Sequence, residues 1–158
     1  MNKGSAPALT REVASPFGPL MLSQRGDAIV ALDWCKPEKN DDTPLLREGE
    51  RQLAAYFAGE LRDFDLPLEP GGDEFQQQVC EAMCEIPYGE TVTYGDIAKK
   101  LDTAAQPVGN ACGGNTIPII IPCHRVLGAS SLGGYSGEGG VERKIELLKL
   151  EGGFPYLL

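Results

Sequence analysis

Short runs of β-branched and other apolar residues alternate with turn-forming segments between residues 11 and 33. The turn segments are SPFGPL, residues 15–20, and QRGD, residues 24–27, whose proline and glycine residues favour tight turns. Short apolar runs bounded by such turns are typical of β-strands. The pattern therefore predicts a small antiparallel sheet of two or three strands near the start of the chain.

A helical period replaces this pattern after Thr43. Thr43 is a suitable N-cap, and Gly59 stands just past the last periodic position. We predict a helix that packs on the sheet through one apolar face. The residues of that face are Leu45, Leu46, Leu53, Tyr56 and Phe57.

The segment LPLEPGG, residues 66–72, is rich in proline and glycine and has no apolar period. A chain of 158 residues can bury a core as one compact domain or as two small ones. We predict a domain boundary in this segment. The prediction gives an N-terminal α/β domain over residues 1–72 and a C-terminal domain over residues 73–158.

Three short helices are predicted in the first half of the C-terminal domain. Asp73 can cap the first helix, which ends before Pro87. Thr93 begins the second, and Asp96 follows three residues later in the position of a capping box. The third helix is expected to start near Ala104.

The rest of this domain combines a buried segment, a glycine-rich loop and a final helix. The buried segment is IIIPCHRVL, residues 119–127, and the loop is GASSLGGYSGEGG, residues 128–140. VERKIELLKL then reads as an amphipathic helix ended by Gly152. This succession resembles a helix-turn-helix unit with a glycine-rich wing. We therefore predict an α+β protein whose second domain is winged-helix-like.

The chain is acidic, with a formal net charge of −9. From Asp73 onward, six Lys and Arg residues face eleven Asp and Glu residues, which leaves the C-terminal domain at −5. Such a chain repels a polyanion at long range, so any nucleic-acid contact must come from a local patch, helix N-termini or backbone amides. We expect modest affinity for a DNA duplex.

The five cysteines form neither a CxxC pair nor a zinc-like spacing with the single histidine. We predict no metal and no organic cofactor, a reducing compartment, and Cys80 and Cys84 facing the core. The N-terminus has no apolar signal region, and no apolar run approaches about 18 residues. We therefore expect a monomeric cytoplasmic protein with no membrane segment. The cysteines are Cys35, Cys80, Cys84, Cys112 and Cys123.

The only histidine of the chain, His124, stands between Cys123 and Arg125. A cysteine attacks as its thiolate, and a free thiol with a pKa of about 8.5 is mostly protonated at neutral pH. A nearby imidazole or guanidinium favours the thiolate. Neighbouring side chains diverge in regular structure, so His124 would reach Cys123 only through a water or at a bend, which Pro122 favours. The residues alone leave open that Cys123 and His124 are inert core residues.

An ordered series of segments surrounds this motif. FQQQVCEAMCEIPYGETVTYGDIA, VGNACGGNTIPIII, IPCHRVL, GGYSG and KIELLKLEGG follow one another over residues 75 to 152. In that order they resemble the O6-alkylguanine-DNA alkyltransferases, the methylated-DNA–protein-cysteine methyltransferases. SPFGPL and QLAAYFAGELRDFDLPL are similar to the N-terminal domain of that family, which implies a ribonuclease-H-like sheet and helix.

The resemblance implies direct repair of DNA. An alkyl group would pass from O6 of guanine in double-stranded DNA to Cys123, leaving a thioether that ends the activity of that molecule. His124 would activate the thiol through a water, and Glu151 would orient His124. Asn115 would hold the turn before the active-site segment. Without the resemblance, Glu151 reads as a solvated surface carboxylate.

The resemblance also implies a site for a flipped base, since O6 faces the pairing partner inside a duplex. Tyr94 would press on the target phosphate and donate to the base, and Ser136 would contact O6. Core packing is the alternative for Tyr94 and Tyr135. The complete set of predicted substrate and DNA contacts is Tyr94, Gln106, Arg125, the backbone amide of Val126, the pocket wall at Tyr135, and Ser136.

Gln106 is the main departure from the family pattern. The family carries an arginine at this position of the helix that enters the minor groove, where it fills the gap left by the flipped base. Glutamine can hydrogen-bond the orphaned cytosine but brings no charge. Two alternatives therefore accompany the repair hypothesis. One is a module of the same superfamily that binds lesions without repairing them, although such proteins replace the cysteine that this chain keeps. The other is a thiol hydrolase using Cys123 and His124.

Overall fold

The computed structural model describes residues 7–129 and 140–152. The chain divides into two compact units, Met1–Pro70 and Gly71–Leu158. The first unit holds an antiparallel sheet and a helix, and the described part of the second unit is mostly helical. The predicted α+β class is confirmed. In the described ranges no helix has the length and apolar composition that crossing a membrane requires.

The sheet of the first unit is a meander of three strands. They are β1 (Leu9–Val13), β2 (Leu20–Arg25) and β3 (Ala28–Asp33), in the order β1-β2-β3 with antiparallel pairing throughout. Gly18 and Gly26 lie in the two connecting turns with φ of +98° and +61°, a conformation that glycine adopts without strain. The predicted sheet and both predicted turns are confirmed.

Helix α1 (Pro44–Phe57) covers this sheet. The Thr43 hydroxyl caps it by accepting from the Leu46 N–H at 3.0 Å. Gly49 allows close approach, because a Cβ there would collide with the Leu22 side chain of β2. Leu46, Leu53 and Tyr56 of the predicted face are buried, while Leu45 and Phe57 are half-buried. The core of this unit consists of Val13, Leu20, Leu22, Ile29, Leu32, Leu46, Leu53 and Tyr56.

Three helices open the second unit at the predicted places. They are α2 (Glu74–Cys84), α3 (Tyr94–Leu101) and α4 (Ala105–Gly113). Asp73 caps α2 by accepting from the Gln76 N–H at 2.8 Å. The capping box of α3 is confirmed: the Thr93 hydroxyl accepts from the Asp96 N–H at 3.0 Å, and the Asp96 carboxylate accepts from the Thr93 N–H at 2.8 Å.

Only one cysteine of the predicted core-facing pair on α2 faces the core. Cys80 is 2% exposed, whereas Cys84 is exposed. The prediction was wrong for Cys84 because the buried stripe of α2 runs through Val79, Cys80 and Met83, and Cys84 lies in the final turn, off that stripe.

The remaining elements bring the motif segment against the last helix. β4 (Val92–Thr93) pairs in parallel with β5 (Val126–Leu127), so the start of α3 lies beside the end of the IPCHRVL segment. A 3₁₀ turn, Cys123–Arg125, leads into β5. Helix α5 (Gly140–Leu150) ends before Glu151, and Gly152 adopts φ of +79°. Most of the predicted glycine-rich wing, residues 130–139, lies outside the described residues.

Candidate active site

Asn115 organises the segment that leads to Cys123. Its side chain is buried and bonds the backbone on both sides. Oδ1 accepts from the Ile117 N–H at 3.0 Å, and Nδ2 donates to the Ile121 carbonyl at 2.9 Å. One amide therefore bonds both ends of the segment 117–121 before the cysteine.

The backbone between these contacts makes two three-residue turns. The Ile120 N–H donates to the Pro118 carbonyl at 2.9 Å, with Ile119 between them at φ of +74°. A β-branched residue in that conformation carries strain of about 1–3 kcal/mol, which the surrounding packing must hold. The Cys123 N–H then donates to the Ile121 carbonyl at 2.8 Å around Pro122. The predicted bend at Pro122 is confirmed.

Cys123, His124 and Arg125 form a single buried 3₁₀ turn. They are 4%, 0% and 5% exposed. Successive side chains on such a turn point about 120° apart, so the three groups face different neighbours. Sequence adjacency therefore brings three chemically distinct groups into one buried region without stacking them on each other.

Glu151 joins two of these side chains. Glu151 Oε2 lies 2.7 Å from His124 Nε2. Arg125 donates to both oxygens of the same carboxylate. Nε donates to Oε1 at 2.8 Å, and the terminal nitrogen NH2 donates to Oε2 at 3.0 Å. The side chains of His124 and Glu151 are fully buried and that of Arg125 is 6% exposed. Glu151 is thus a buried anion, not a solvated surface group.

The second terminal nitrogen of Arg125, NH1, and the flat face of the guanidinium also have partners. NH1 donates to the Ile86 carbonyl at 2.7 Å, and the guanidinium carbon lies 5.7 Å from the centre of the Tyr88 ring. The Tyr88 hydroxyl donates to the Leu150 carbonyl at 3.3 Å. The turn that follows α2 therefore holds both Arg125 and the end of α5 that carries Glu151.

The other ring nitrogen of His124, Nδ1, has no hydrogen-bond partner among the described residues. Burial lowers the pKa of His124, against the opposing pull of Glu151, and the positive charges of Arg125 and Lys144 lower it further. A neutral imidazole that donates from Nε2 to Glu151 keeps a lone pair on Nδ1. That nitrogen is available to accept a proton.

Lys144 is a second buried cation of the site. It is fully buried, donates from Nζ to the Val126 carbonyl at 2.7 Å and lies 5.9 Å from the centre of the Tyr94 ring. Burial lowers its pKa to about 8, opposed by attraction to Cys123 and Cys112. The same attraction favours negative charge on the Cys123 sulfur.

Two other buried thiols, Cys112 and Cys80, interact with the Cys123 sulfur and remain protonated near neutral pH. Burial raises the pKa of Cys112 to about 12 and that of Cys80 to about 11, and the charge of Cys123 contributes to both shifts. The Cys112 thiol also donates to the Met83 sulfur at 3.6 Å. Within the described ranges no group of three or more His, Cys, Asp or Glu side chains is arranged to hold a metal ion.

The predicted DNA-contacting residues occupy different environments. Tyr94 is half-buried at the first position of α3, and Gln106 is exposed in the first turn of α4. Val126 uses its own backbone internally, since its N–H donates to the Cys123 carbonyl and its carbonyl accepts from Lys144. Tyr135 and Ser136 lie outside the described residues.

Sequence reasoning missed the role of Lys144 and placed Arg125 among the DNA contacts. A signal for Lys144 was present: together with Leu147, Leu148 and Glu151 it occupies i, i+3, i+4 and i+7 positions, which share one helical face. Because the two leucines mark that face as buried, both charged residues are carried inward with them. No local signal identifies the acceptors of Arg125, which are distant in sequence.

Comparison with known proteins agrees with this geometry in both units. Residues 74–153 match the model of the 6-O-methylguanine DNA methyltransferase DNA binding domain, and residues 10–70 match that of the ribonuclease-like domain of the same proteins. A methylated-DNA–protein-cysteine methyltransferase of Methanosarcina acetivorans is 46% identical over 149 residues, which covers 87% of this chain and 94% of that protein. The enzyme of the same name from Mycobacterium tuberculosis is 46% identical over 151 residues, covering 89% and 90%.

Solved structures give the same result. The crystal structure of Mycobacterium tuberculosis OGT in complex with DNA superimposes with a TM-score of 0.80 at 45% identity, covering 90% of this chain and 92% of that one. The Mycobacterium tuberculosis O6-methylguanine methyltransferase gives a TM-score of 0.81 at 42% identity. Both domain models and these relatives together span nearly all of the sequence, and the chain therefore belongs to the O6-methylguanine-DNA methyltransferase family.

Proposed function

We propose that this chain repairs double-stranded DNA by moving an alkyl group from O6 of guanine to Cys123, once per molecule. The observation that carries the proposal is the buried pair of His124 Nε2 and Glu151 Oε2, 2.7 Å apart and directly after Cys123, with no hydrogen-bond partner for His124 Nδ1 among the described residues. A nucleophile, a base and an orienting carboxylate are the parts that thiol alkylation needs. Membership of the family supplies the substrate class.

The reaction forms one bond and breaks one. The Cys123 sulfur attacks the alkyl carbon, the bond between that carbon and O6 breaks, and its electron pair remains on the guanine, which takes up one proton from water in exchange for the one that the thiol gives up. The thiol proton passes to Nδ1 of His124, through a water in our proposal, while Glu151 holds the imidazole by Nε2. The product is a thioether, which cannot leave, so the chain turns over once.

The target base must leave the stack, because O6 is paired inside a duplex, at a cost of a few kcal/mol. We assign Tyr94 and the exposed first turn of α4, with Gln106, to the contact with DNA. We assign Arg125 and the Val126 amide to internal roles, since their donors are engaged within the domain. We propose that the chain acts as a monomer, because Cys123, His124 and Glu151 lie together in the second unit and the reaction needs no residue from a second copy. None of the five cysteines, all within the described residues, forms a disulfide bond, which supports a reducing compartment such as the cytoplasm.

The test is stoichiometric. The protein is incubated with a duplex containing one O6-methylguanine, then weighed intact and digested to locate any added mass. We expect one methyl group at Cys123 and an equal amount of restored guanine. Cys123→Ser should add nothing, and Cys112→Ser, which removes a neighbouring buried thiol, should still be methylated at Cys123.

Two outcomes would overturn the proposal. Retained binding to the lesion without any added methyl group would identify a lesion-binding module. Restoration of more than one guanine per protein molecule would identify a hydrolase, since a thioether product permits only one.

A further inference from the structure

The His124–Glu151 pair alone would not favour a neutral imidazole. A buried carboxylate 2.7 Å from an imidazole nitrogen raises the affinity of that ring for a proton, against the burial that lowers it. An imidazolium has no lone pair at Nδ1 and cannot accept the thiol proton. A group that balances the Glu151 charge therefore adds to burial in keeping His124 neutral.

Arg125 has the position and the chemistry to do so. Its guanidinium is always protonated and binds both oxygens of Glu151, at 2.8 and 3.0 Å. With this cation in place, the cluster of Arg125, Glu151 and neutral His124 carries no net charge. Protonation of His124 would leave an uncompensated charge in a fully buried site, which is costly.

Of the other charged groups around the imidazole, Lys144 acts in the same direction as Arg125. Lys144, from α5, is a second buried cation, and its charge also opposes an imidazolium. Cys123 precedes the ring in the turn, and Glu151 is the carboxylate that contacts it. A single carboxylate thus faces two cations before His124 takes any proton.

Contacts from two separate elements hold the Arg125 side chain in place. Its third contact, to the Ile86 carbonyl, and the Tyr88 ring beneath it come from the turn after α2, while Glu151 lies at the end of α5. Gly89 in that turn, at φ of +82°, lies so close to Glu151 that an added Cβ would be 3.1 Å from its carbonyl oxygen. The backbone of Glu151 therefore packs closely against the same turn that contacts Arg125.

We propose that Arg125 is a positioning residue that balances the charge of Glu151 and aims its Oε2 at His124 Nε2, so that the imidazole stays neutral with Nδ1 free to take the Cys123 proton. The role of Nδ1 as acceptor rests on the proposed function. The protonation state of His124 does not, and it can be measured without any alkylated DNA.

The single histidine makes this measurement direct, because every imidazole signal in a spectrum of histidine-labelled protein comes from His124. Nitrogen-15 NMR distinguishes the two neutral tautomers from the imidazolium. In the unmodified protein we expect the neutral Nε2–H tautomer throughout the range around pH 6.5 in which exposed histidines titrate. An imidazolium at neutral pH in the unmodified protein would overturn the inference.

Two substitutions separate charge from packing. Arg125→Met keeps much of the side-chain volume and removes the charge, so the His124 titration should move to higher pH by about one unit or more. Arg125→Lys keeps the charge without the two-oxygen grip, and should leave His124 closer to its original state. Lys149→Met, which makes the same net-charge change at an exposed site on α5, should not move the titration. If Arg125→Met fails to fold, Arg125→Lys and the unmodified protein still decide the inference through their tautomer signals.

The pH profile of alkyl transfer supplies the functional readout. With Arg125→Met the acid side of the profile should move to higher pH together with the His124 titration, because the cluster now takes up its proton earlier. Equal titrations in Arg125→Met and the unmodified protein would reduce Arg125 to a packing role. Failure of the unmodified protein to methylate Cys123 would sink the proposed function and leave the NMR result standing.

Discussion

The Asn115 side-chain amide donates to the carbonyl of Ile121 at 2.9 Å, two residues before Cys123. The same side chain accepts from the Ile117 N–H, so it closes a loop around the strained Ile119. Neither backbone group is close to solvent, because Ile117 and Ile121 are almost fully buried. The position of the reactive sulfur therefore depends on a residue eight positions away.

Asn115→Ala should cost stability and reactivity together. It leaves the buried Ile117 N–H without this partner, at about 1–3 kcal/mol in unfolding free energy, and leaves the Ile121 carbonyl with the Cys123 N–H. Misplacing the nucleophile should also slow alkyl transfer by about tenfold or more. Asn40→Ala removes an exposed bond of the same kind, to the Glu12 N–H at 2.7 Å, and should cost less than about 1 kcal/mol in urea unfolding. Equal losses of unfolding free energy in the two variants would contradict a structural role for the Asn115 hydrogen bonds.

Glu151→Gln should destabilise the fold far more than loss of an exposed carboxylate. It keeps the shape of the side chain but leaves the Arg125 guanidinium buried without its anion, which typically costs about 3–5 kcal/mol. The matched variant is Glu146→Gln, whose exposed pair with Lys149 spans 3.9 Å and should contribute less than about 1 kcal/mol. Denaturant unfolding of both variants measures the difference. If the two lose similar stability, the buried pair is not structural.

Lys144 should make a contribution to the free energy of unfolding that increases with pH in alkaline solution. Its pKa is depressed to about 8 in the fold, so between about pH 8 and 10.5 the unfolded chain binds the proton that the folded chain has released. Stability from this group therefore rises with pH across that window. Cys80 and Cys112 act in the opposite direction, because their folded pKa values are raised and the unfolded thiols ionise first.

Comparison with Lys144→Met reports the lysine together with its interaction with the neighbouring thiols, which are present in both proteins. The stability of the unmodified protein relative to this variant should increase by an amount on the order of 1–2 kcal/mol between pH 7 and 9.5. Urea unfolding at several pH values measures it. Lys149→Met, at an exposed position, should show no such trend. A flat difference for Lys144→Met would mean that the ammonium is not desolvated in the fold.

Local signals predicted most of the fold. Side chains that bond their own helix, such as Thr43, Asp73 and Thr93, identified the starts of α1, α2 and α3, because a cap is a short-range interaction legible in a few residues. The turn glycines of the sheet belong to the same class. A local pattern could not identify the partner of a charged residue when that partner lies far away in sequence.

Arg125 and Lys144 show this limit. The resemblance placed Arg125 among the DNA contacts, and no role was predicted for Lys144. Each is buried on a partner more than fifteen residues away, Glu151 for Arg125 and the Val126 carbonyl for Lys144. The resemblance to a family identified Glu151, which the residues alone would have left on the surface. Burial of a charge is decided by tertiary partners that satisfy it, and sequence spacing on α5 was the only local indication.

The two buried cations also change the charge available for DNA. Of the six Lys and Arg residues of the second unit, Arg125 and Lys144 are enclosed, and exposed Lys100 forms an ion pair with Glu85. Few cations are therefore left to meet phosphates, which supports the modest duplex affinity expected from composition. The exposed first turn of α4, at Gln106, is where an added charge should act most directly.

Gln106→Arg should therefore strengthen binding to a duplex and make it more sensitive to salt. One added phosphate contact should steepen the dependence of the logarithm of affinity on the logarithm of salt concentration by about one. Fluorescence anisotropy with an O6-methylguanine duplex measures this, in a Cys123→Ser background that prevents transfer. Gln77→Arg adds the same charge at an exposed position on α2 and should have a smaller effect. Equal effects of the two arginines would show a response to net charge alone, and no effect of Gln106→Arg would place the start of α4 away from the duplex.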